Sequence, residues 1–391
     1  MNIEQINIHN FKSLKNVSMQ CRNLTVITGL NSSGKSSLLQ ALFILRAAYL
    51  RNRNLLPNAA AIIPFESPET GTIGAFQDLL NYDYEGAGVI SMTVSFPGNG
   101  QFSFETVPYQ SDNKTDRHVL GNVNAQIDTE GLPALFSNNL QYLSALRIGP
   151  SDLYPSPPRS DERQIGKDGR FAAYILERHG IFSRVHPSMC LPVDTNGAAH
   201  GDLLSRQIDA WLAYITSNSN ISIKVKETST SEVELSYIFT DVQGLPYPRG
   251  TKPVNVGFGV SYIFPVLVAL LSAQRGDLVI IENPESDLHA KAQSRLGELM
   301  ALTASTGVQV IVETHSEHII NGIRLQVKAF KDSQKKNGLS SEKIAIQYFT
   351  RNNRGETYLI EASLNPDANL SIATGVSGFF DQLDEDLLKI L

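Results

Sequence analysis

The sequence predicts an α/β fold with a mixed sheet, and three observations carry that prediction. First, the run of Leu24, Val26 and Ile27 enters a glycine-rich turn. It is followed by Leu38, Leu39, Leu42, Phe43 and Leu45 at helical spacing. Second, from residue 254 onward the pattern alternates helix, strand, helix, strand, which argues for layering with a parallel component. Third, paired alternating runs lie between these regions. "GAGVISMTVSF" with "QFSFETV", and "ISIKVKET" with "EVELSYIFT", each predict an antiparallel hairpin.

Taken in order, residues 1–28 predict two short strands, the first carrying Ile3, Ile6 and Ile8. Residues 149–168 hold four of the 18 prolines and many polar side chains, as a linker or an ordered functional loop does. "GDLLSRQIDAWLAYI" predicts an amphipathic helix. A helix is expected around 261–273, a strand at "DLVIIE", a helix over 289–304 and a strand at "VQVIVET". The expected division is 1–150, then an insert of loop, helices and hairpin over 151–250, then 251–391. No internal repeat is visible.

Composition narrows the function. The chain has 391 residues, 42% hydrophobic and 18% charged, with a formal net charge of −6. Nucleic-acid contact would therefore need a local basic patch, for which Arg46, Arg51 and Arg53 are the candidates. The two cysteines, Cys21 and Cys190, have no metal-ligand spacing and imply a reducing compartment. The N-terminus lacks the basic start and apolar core of a signal peptide. "VSYIFPVLVALLSA" is too short to span a bilayer. The expectation is a cytoplasmic protein with no membrane segment.

The stretch "VITGLNSSGKSSLLQ" fits G-x-x-x-x-G-K-[ST] from Gly29 to Ser36. Gly29 and Gly34 let the backbone curl, so that N–H groups around Asn31, Ser32 and Ser33 can face phosphate oxygens. Lys35 can reach the β- and γ-phosphates, Ser36 can ligate Mg²⁺, and Ser37 continues the helix start. The cofactors expected are ATP and Mg²⁺. A Gly/Ser-rich turn matching by chance is the bland reading, and the strand before and helix after it weigh against that.

"LVIIENPESDLH" is an apolar strand ending in acids. Such a strand places a carboxylate, here Glu282, to hold Mg²⁺ or its water. "VQVIVETHSEHI" ends similarly, making His315 a candidate γ-phosphate sensor and His318 a surface or helix-cap residue. Alternation of Glu313, His315 and Glu317 also suggests a metal site, though no further ligand completes it. "VNVGFGVSYIF" sets Gly257, Gly259 and Ser261 ahead of a helix, a weak anion-binding signal alone.

These pieces in this order resemble the ABC-type ATPases of the SMC, RecF and OLD group. "INIHNFKSLKNVSM" with "LTVITGLNSSGKSSLLQAL" looks like their opening strands and Walker A motif. "GFGVS" sits where the ABC signature lies, with Ser261 21 residues before Glu282, and His315 follows Glu282 by 33. "IENPESDLHAKAQ", "ETHSEHIINGIRL" and the ending "GVSGFFDQLDEDLLKIL" are similar to an OLD-like subgroup with a small C-terminal segment. The match is good over 1–50 and 250–391 and loose over 70–180, through "GAFQDLL" and "YLSALRIGP".

The resemblance implies a P-loop ATPase head. Two copies would sandwich ATP between the P-loop of one and Gly257, Gly259 and Ser261 of the other. It also makes Gln77 a weak match to the metal-contacting Q-loop and puts His289 where aspartate is usual. The family's water-polarising glutamate is replaced here by Asn283. Three alternatives follow. Glu285 activates the water, Asn283 only orients it so that hydrolysis is slow, or the chain is a clamp that hardly turns over. About 75 residues follow His315, too few for a Toprim nuclease, and "DEDLL" near the end reads as a solvated helix face. The implied function is an ATPase controlling a separately encoded effector, such as a nuclease in anti-phage defence. The alternatives are an ATP-dependent DNA clamp and a non-hydrolysing scaffold.

Overall fold

In a computed structural model, the described residues are 1–54, 59–127, 131–159, 162–192, 200–217, 221–241 and 245–372. The C-terminal stretch 375–391, with "DEDLL", lies outside them. The chain forms two compact units. The first is Met1–Ser137 with Ile344–Leu364 and residues 370–372; the second is Asn138–Lys343 with Asn365–Asn369.

The first unit opens with β1 (Gln5–Phe11), β2 (Leu14–Gln20), β3 (Leu24–Gly29) and α1 (Lys35–Asn52). Strands β4 (Ala59–Pro64), β5 (Glu66–Ser67) and β6 (Gly71–Thr72), the short helix α2 (Phe76–Leu79), and β7 (Ser91–Phe96), β8 (Gly100–Thr106) and β9 (His118–Gln126) follow. Where two strands were expected before residue 29, there are three. Val17 and Met19 of β2 are buried at alternate positions, but Leu14 lies three residues before Val17, and Lys15 and Asn16 between them break that period. Strands β2-β1-β7-β8-β9-β4 form an antiparallel sheet. The expected β7–β8 hairpin is present, with Met92 opposite Phe104. Helix α1 packs on it through Tyr49, which stacks on Phe136 at 4.2 Å and meets Phe102 edge-on.

The second unit begins with β10 (Leu140–Leu143), β11 (Leu153–Pro155), α3 (Ala172–His179), α4 (Leu204–Thr216), β12 (Ile221–Ser229) and β13 (Glu232–Phe239). It continues with α5 (Phe258–Leu271), β14 (Leu278–Glu282), α6 (Ala290–Ser305), β15 (Gln309–Glu313) and α7 (Glu317–Asp332). Strands β10, β14 and β15 run parallel, the component the helix–strand alternation predicted. The apolar β14 and β15 are almost wholly buried, as parallel strands covered on both faces must be. Helix α4 buries Trp211, whose indole N–H donates to the Met189 carbonyl at 2.8 Å. Strands β12 and β13 form the second expected hairpin.

The chain then returns to the first unit with β16 (Ile344–Arg351), β17 (Thr357–Leu364) and β18 (Leu370–Ser371). Strand β16 is parallel to β3 and antiparallel to β17, so this sheet is mixed. Its register pairs Val26 with Ile346 and Gly29 with Phe349. Among the described residues, no helix is long and apolar enough to cross a membrane.

Candidate functional site

In the first unit, the loop between β3 and α1 folds as the glycine spacing requires. Gly29, Ser32 and Gly34 all have positive φ, at 135°, 60° and 105°. Gly34 tolerates no side chain. A Cβ there would lie 2.5 Å from the Thr357 hydroxyl and 2.9 Å from that of Ser13. The Thr357 hydroxyl donates to the Ser33 carbonyl at 2.7 Å and shares a hydrogen bond with the Ser13 hydroxyl at 2.8 Å, bracing the loop from β17. Lys35 is buried, and its ammonium donates to the Gly29 and Leu30 carbonyls at 3.0 and 2.8 Å. Asn31, Ser32 and Ser36 are exposed and Ser37 is partly so, while the Ser33 hydroxyl is buried with no hydrogen-bond partner among the described residues.

This is a curled backbone at a helix N-terminus, with an ammonium against the loop and no acid in the helix's first turn. The donor set fits a polyphosphate, with Lys35 to neutralise it and Ser36 to offer a hydroxyl to a divalent cation. Gln77 lies exposed on α2, its backbone N–H donating to the Lys114 carbonyl at 3.0 Å. Arg46 bonds Glu69 at 3.0 Å and also donates to the Leu135 and Ser137 carbonyls, so it holds the unit together. Only Arg51 and Arg53 of the basic candidates stay exposed.

In the second unit, β14 and β15 end side by side, with Glu282 registered against Glu313. The Tyr142 hydroxyl donates to Glu282 Oε1 at 2.6 Å, and the Ala145 N–H reaches Oε2 at 3.4 Å. A carboxylate oriented this way keeps lone pairs for a cation. Asn283 stands at φ 41°, a left-handed conformation that asparagine tolerates better than glutamate. Its N–H donates to the Glu313 carbonyl at 2.8 Å.

Glu285 accepts the Thr314 hydroxyl and the His315 N–H, each at 2.8 Å. His315 itself is exposed. Glu282, Asn283, Glu285 and His315 thus belong to one connected turn. Strand β15 stops at Glu313, Ser316 caps α7 through the Ile319 N–H at 3.1 Å, and Glu317 opens that helix. The alternation that suggested a metal site with Glu313 and Glu317 therefore breaks, and no metal-binding group of His, Cys, Asp or Glu occurs among the described residues. His318 is exposed in the first turn of α7.

Gly257 and Gly259 flank the start of α5, beside a cavity of about 700 Å³ also lined by Asp287, Leu288 and His289. Gly257 faces open space. A Cβ on Gly259 would lie 2.5 Å from the Asp287 carbonyl, so close packing against the turn after β14 requires this glycine. Ser261 is 6% exposed and does not share the open face with Gly257. His289 is the N-terminal cap position of α6.

Four polar residues of these networks carried no assignment in the sequence: Tyr142, Arg147, Thr314 and Thr357. Tyr142 lies inside the buried strand β10, beside Gln141, and Arg147 is 7% exposed with its guanidinium on the Glu282 and Asn283 carbonyls. A hydroxyl-bearing side chain within a buried strand was the available signal for the first. Nothing local marks the other three.

Residues 1–89 match the family model described as "AAA ATPase domain". Residues 195–321 match "AAA domain, putative AbiEii toxin, Type IV TA system". No curated protein matches the chain. Among solved structures, the Smc head domain of Pyrococcus furiosus, bound to the C-terminal domain of ScpA, is similar with TM-score 0.51 at 9% identity. It covers 99% of each chain. An SmcHead bound to the C-winged helix domain of ScpA gives 0.51 at 13% identity over 93% of this chain and 98% of that one. The SMC head domain from Thermotoga maritima gives 0.45 at 11%, over 92% and 99%. The fold is that of SMC head domains of the ABC type, and the matching family models are those of AAA ATPases.

Proposed function

We propose that this chain is an ATPase head that binds ATP and Mg²⁺, closes as a homodimer around nucleotide, and controls a separately encoded effector. The observation that carries this reading is the loop from Gly29 to Ser36, with Lys35 against its carbonyls and the α1 N-terminus behind it. Gly29, Asn31, Ser32, Ser33, Gly34, Lys35, Ser36 and Ser37 would hold the phosphates. In the first unit Ser36 would offer a cation its hydroxyl, with Gln77 as the weaker further ligand, and in the second unit Glu282 is the carboxylate that would serve as a cation ligand. His315 would read the γ-phosphate. The open face at Gly257 supports closure by a second copy.

Hydrolysis is slow in this reading. Asn283 can orient water but cannot take its proton, and the Glu285 carboxylate is already engaged by Thr314 and His315. A partner protein fits the solved SMC heads, which are bound to ScpA domains. A defence role beside an effector such as a nuclease rests on the resemblance of the motifs; one matching family description names a putative toxin of a type IV toxin–antitoxin system. Phosphate release from ATP by wild type and Lys35→Ala tests the core claim. Turnover that survives the lysine substitution, or ATP that fails to bind wild type, would overturn it.

A further inference from the structure

Arg147 and its neighbour reverse the usual rule of burial. Leu146 is 85% exposed, and the cationic Arg147 beside it is 7% exposed. The segment is anchored on both sides: Ser144 N–H donates to the Lys167 carbonyl and Ile148 N–H to that of Asp168, each at 2.8 Å. The arginine is thereby turned inward. Its two terminal nitrogens donate to the carbonyls of Glu282 at 2.6 Å and Asn283 at 3.2 Å.

Tyr142 and Ala145 of the same segment hold the two oxygens of the Glu282 carboxylate. One stretch, 142–147, therefore grips Glu282 at three points and fixes the peptide that carries Asn283 at positive φ. Two carbonyls alone would not require a charge, since a neutral amide caps them at no ionic desolvation cost. A forked guanidinium that holds two successive carbonyls fixes the peptide between them, which fits a turn whose geometry must hold when a cation and phosphates arrive.

We propose that Arg147 is a positioning residue, which holds the Glu282–Glu285 turn in its working shape without itself touching nucleotide. This deepens the ATPase reading and rests on it for the catalytic consequence, though not for the effect on the turn. The test compares Arg147→Met and Arg147→Lys with wild type, using hydrogen–deuterium exchange without nucleotide, ATP binding and phosphate release. In Arg147→Met, exchange should accelerate about tenfold over 282–286 and 313–316 while peptides covering 26–40 keep wild-type rates. ATP affinity and KM should stay within about twofold, and kcat should fall roughly 10- to 100-fold, as when a residue supporting a site's ligands is lost. Arg147→Lys restores the charge without the fork and should recover only a minor part of kcat.

Unchanged exchange at 282–286, acceleration spread over the whole chain, or full recovery by lysine would overturn the proposal. So would an unchanged kcat with a loosened turn. If wild type turns over no ATP while the localised exchange change appears, the ATPase reading falls and the positioning of the turn stands.

Discussion

The Glu285 carboxylate and the His315 backbone N–H are joined by a 2.8 Å hydrogen bond across 30 residues of sequence. Thr314 adds its hydroxyl to the same carboxylate. Glu285 thus sets where His315 sits, and its oxygens are committed to that task. Glu285→Gln keeps one acceptor oxygen and should lower turnover only about threefold, whereas Glu285→Ala should lower it roughly tenfold, consistent with losing a charged hydrogen bond. Phosphate release measures both. A Gln variant that accumulates as an ATP-bound dimer in light scattering would instead make Glu285 the water-activating base.

Lys35→Ala should weaken ATP binding by about 30-fold or more, the loss of a charge-assisted contact to phosphate. Calorimetric titration gives the number. The loop has no second buried cation among its own residues to compensate.

Thr357→Val should strip the Ser33 carbonyl and the Ser13 hydroxyl of a partner in a buried place. The expected cost is about 1–3 kcal/mol of stability. ATP affinity should fall in parallel because the loop loses its brace. Chemical denaturation and titration check the two effects, and a stable variant with normal affinity would show that β17 does not shape the loop.

Gly257→Arg should separate binding from closure. Gly257 faces open space at an ordinary φ of −55°, so stability should stay within about 0.5 kcal/mol. Monomer affinity for ATP should hold while an ATP-dependent dimer disappears. This position is a better probe than Ser261, whose side chain is buried. A normal dimer by light scattering would remove the Gly257 face from the interface.

Asp209 supplies a pH test. Burial raises its pKa to about 7, opposed by the Ile223 N–H, which it accepts at 2.8 Å, and by Arg206. A folded pKa above the unfolded value means that the unfolded chain loses its proton first as pH rises. The second unit should therefore be most stable below about pH 4 as far as this group is concerned. It should lose up to about 1.4 kcal/mol per pH unit on the way to about pH 7. Trp211, two residues along α4, reports the transition by fluorescence, and Asp209→Asn should flatten the profile.

Much of this was legible locally. The apolar runs of β3, β14 and β15 and the Gly29–Ser36 spacing gave the α/β class and the loop, because each is a contiguous pattern with one physical cause. Strand β2 was not, since Lys15 and Asn16 between Leu14 and Val17 break its period. Nor was the engagement of Glu285, because its partners Thr314 and His315 lie on the next strand's exit. The role of Gly259 looked like anion binding alone, and only the nearness of the Asp287 carbonyl reveals its packing requirement.

The pairing of β3 with β16 has a consequence for synthesis. Val26 lies against Ile346, and the Thr357 brace reaches Ser33 across 324 residues. A ribosome making this chain delivers the phosphate loop before the strands that support it. Nearly all of the second unit, Asn138–Lys343, emerges in between as one continuous stretch able to fold on its own schedule. A nascent chain stalled before residue 344 would carry the whole G-x-x-x-x-G-K-S motif yet lack the walls that shape it. Competence to hold nucleotide therefore waits for the strands beyond residue 344, and a fragment stopped before them would not sequester ATP.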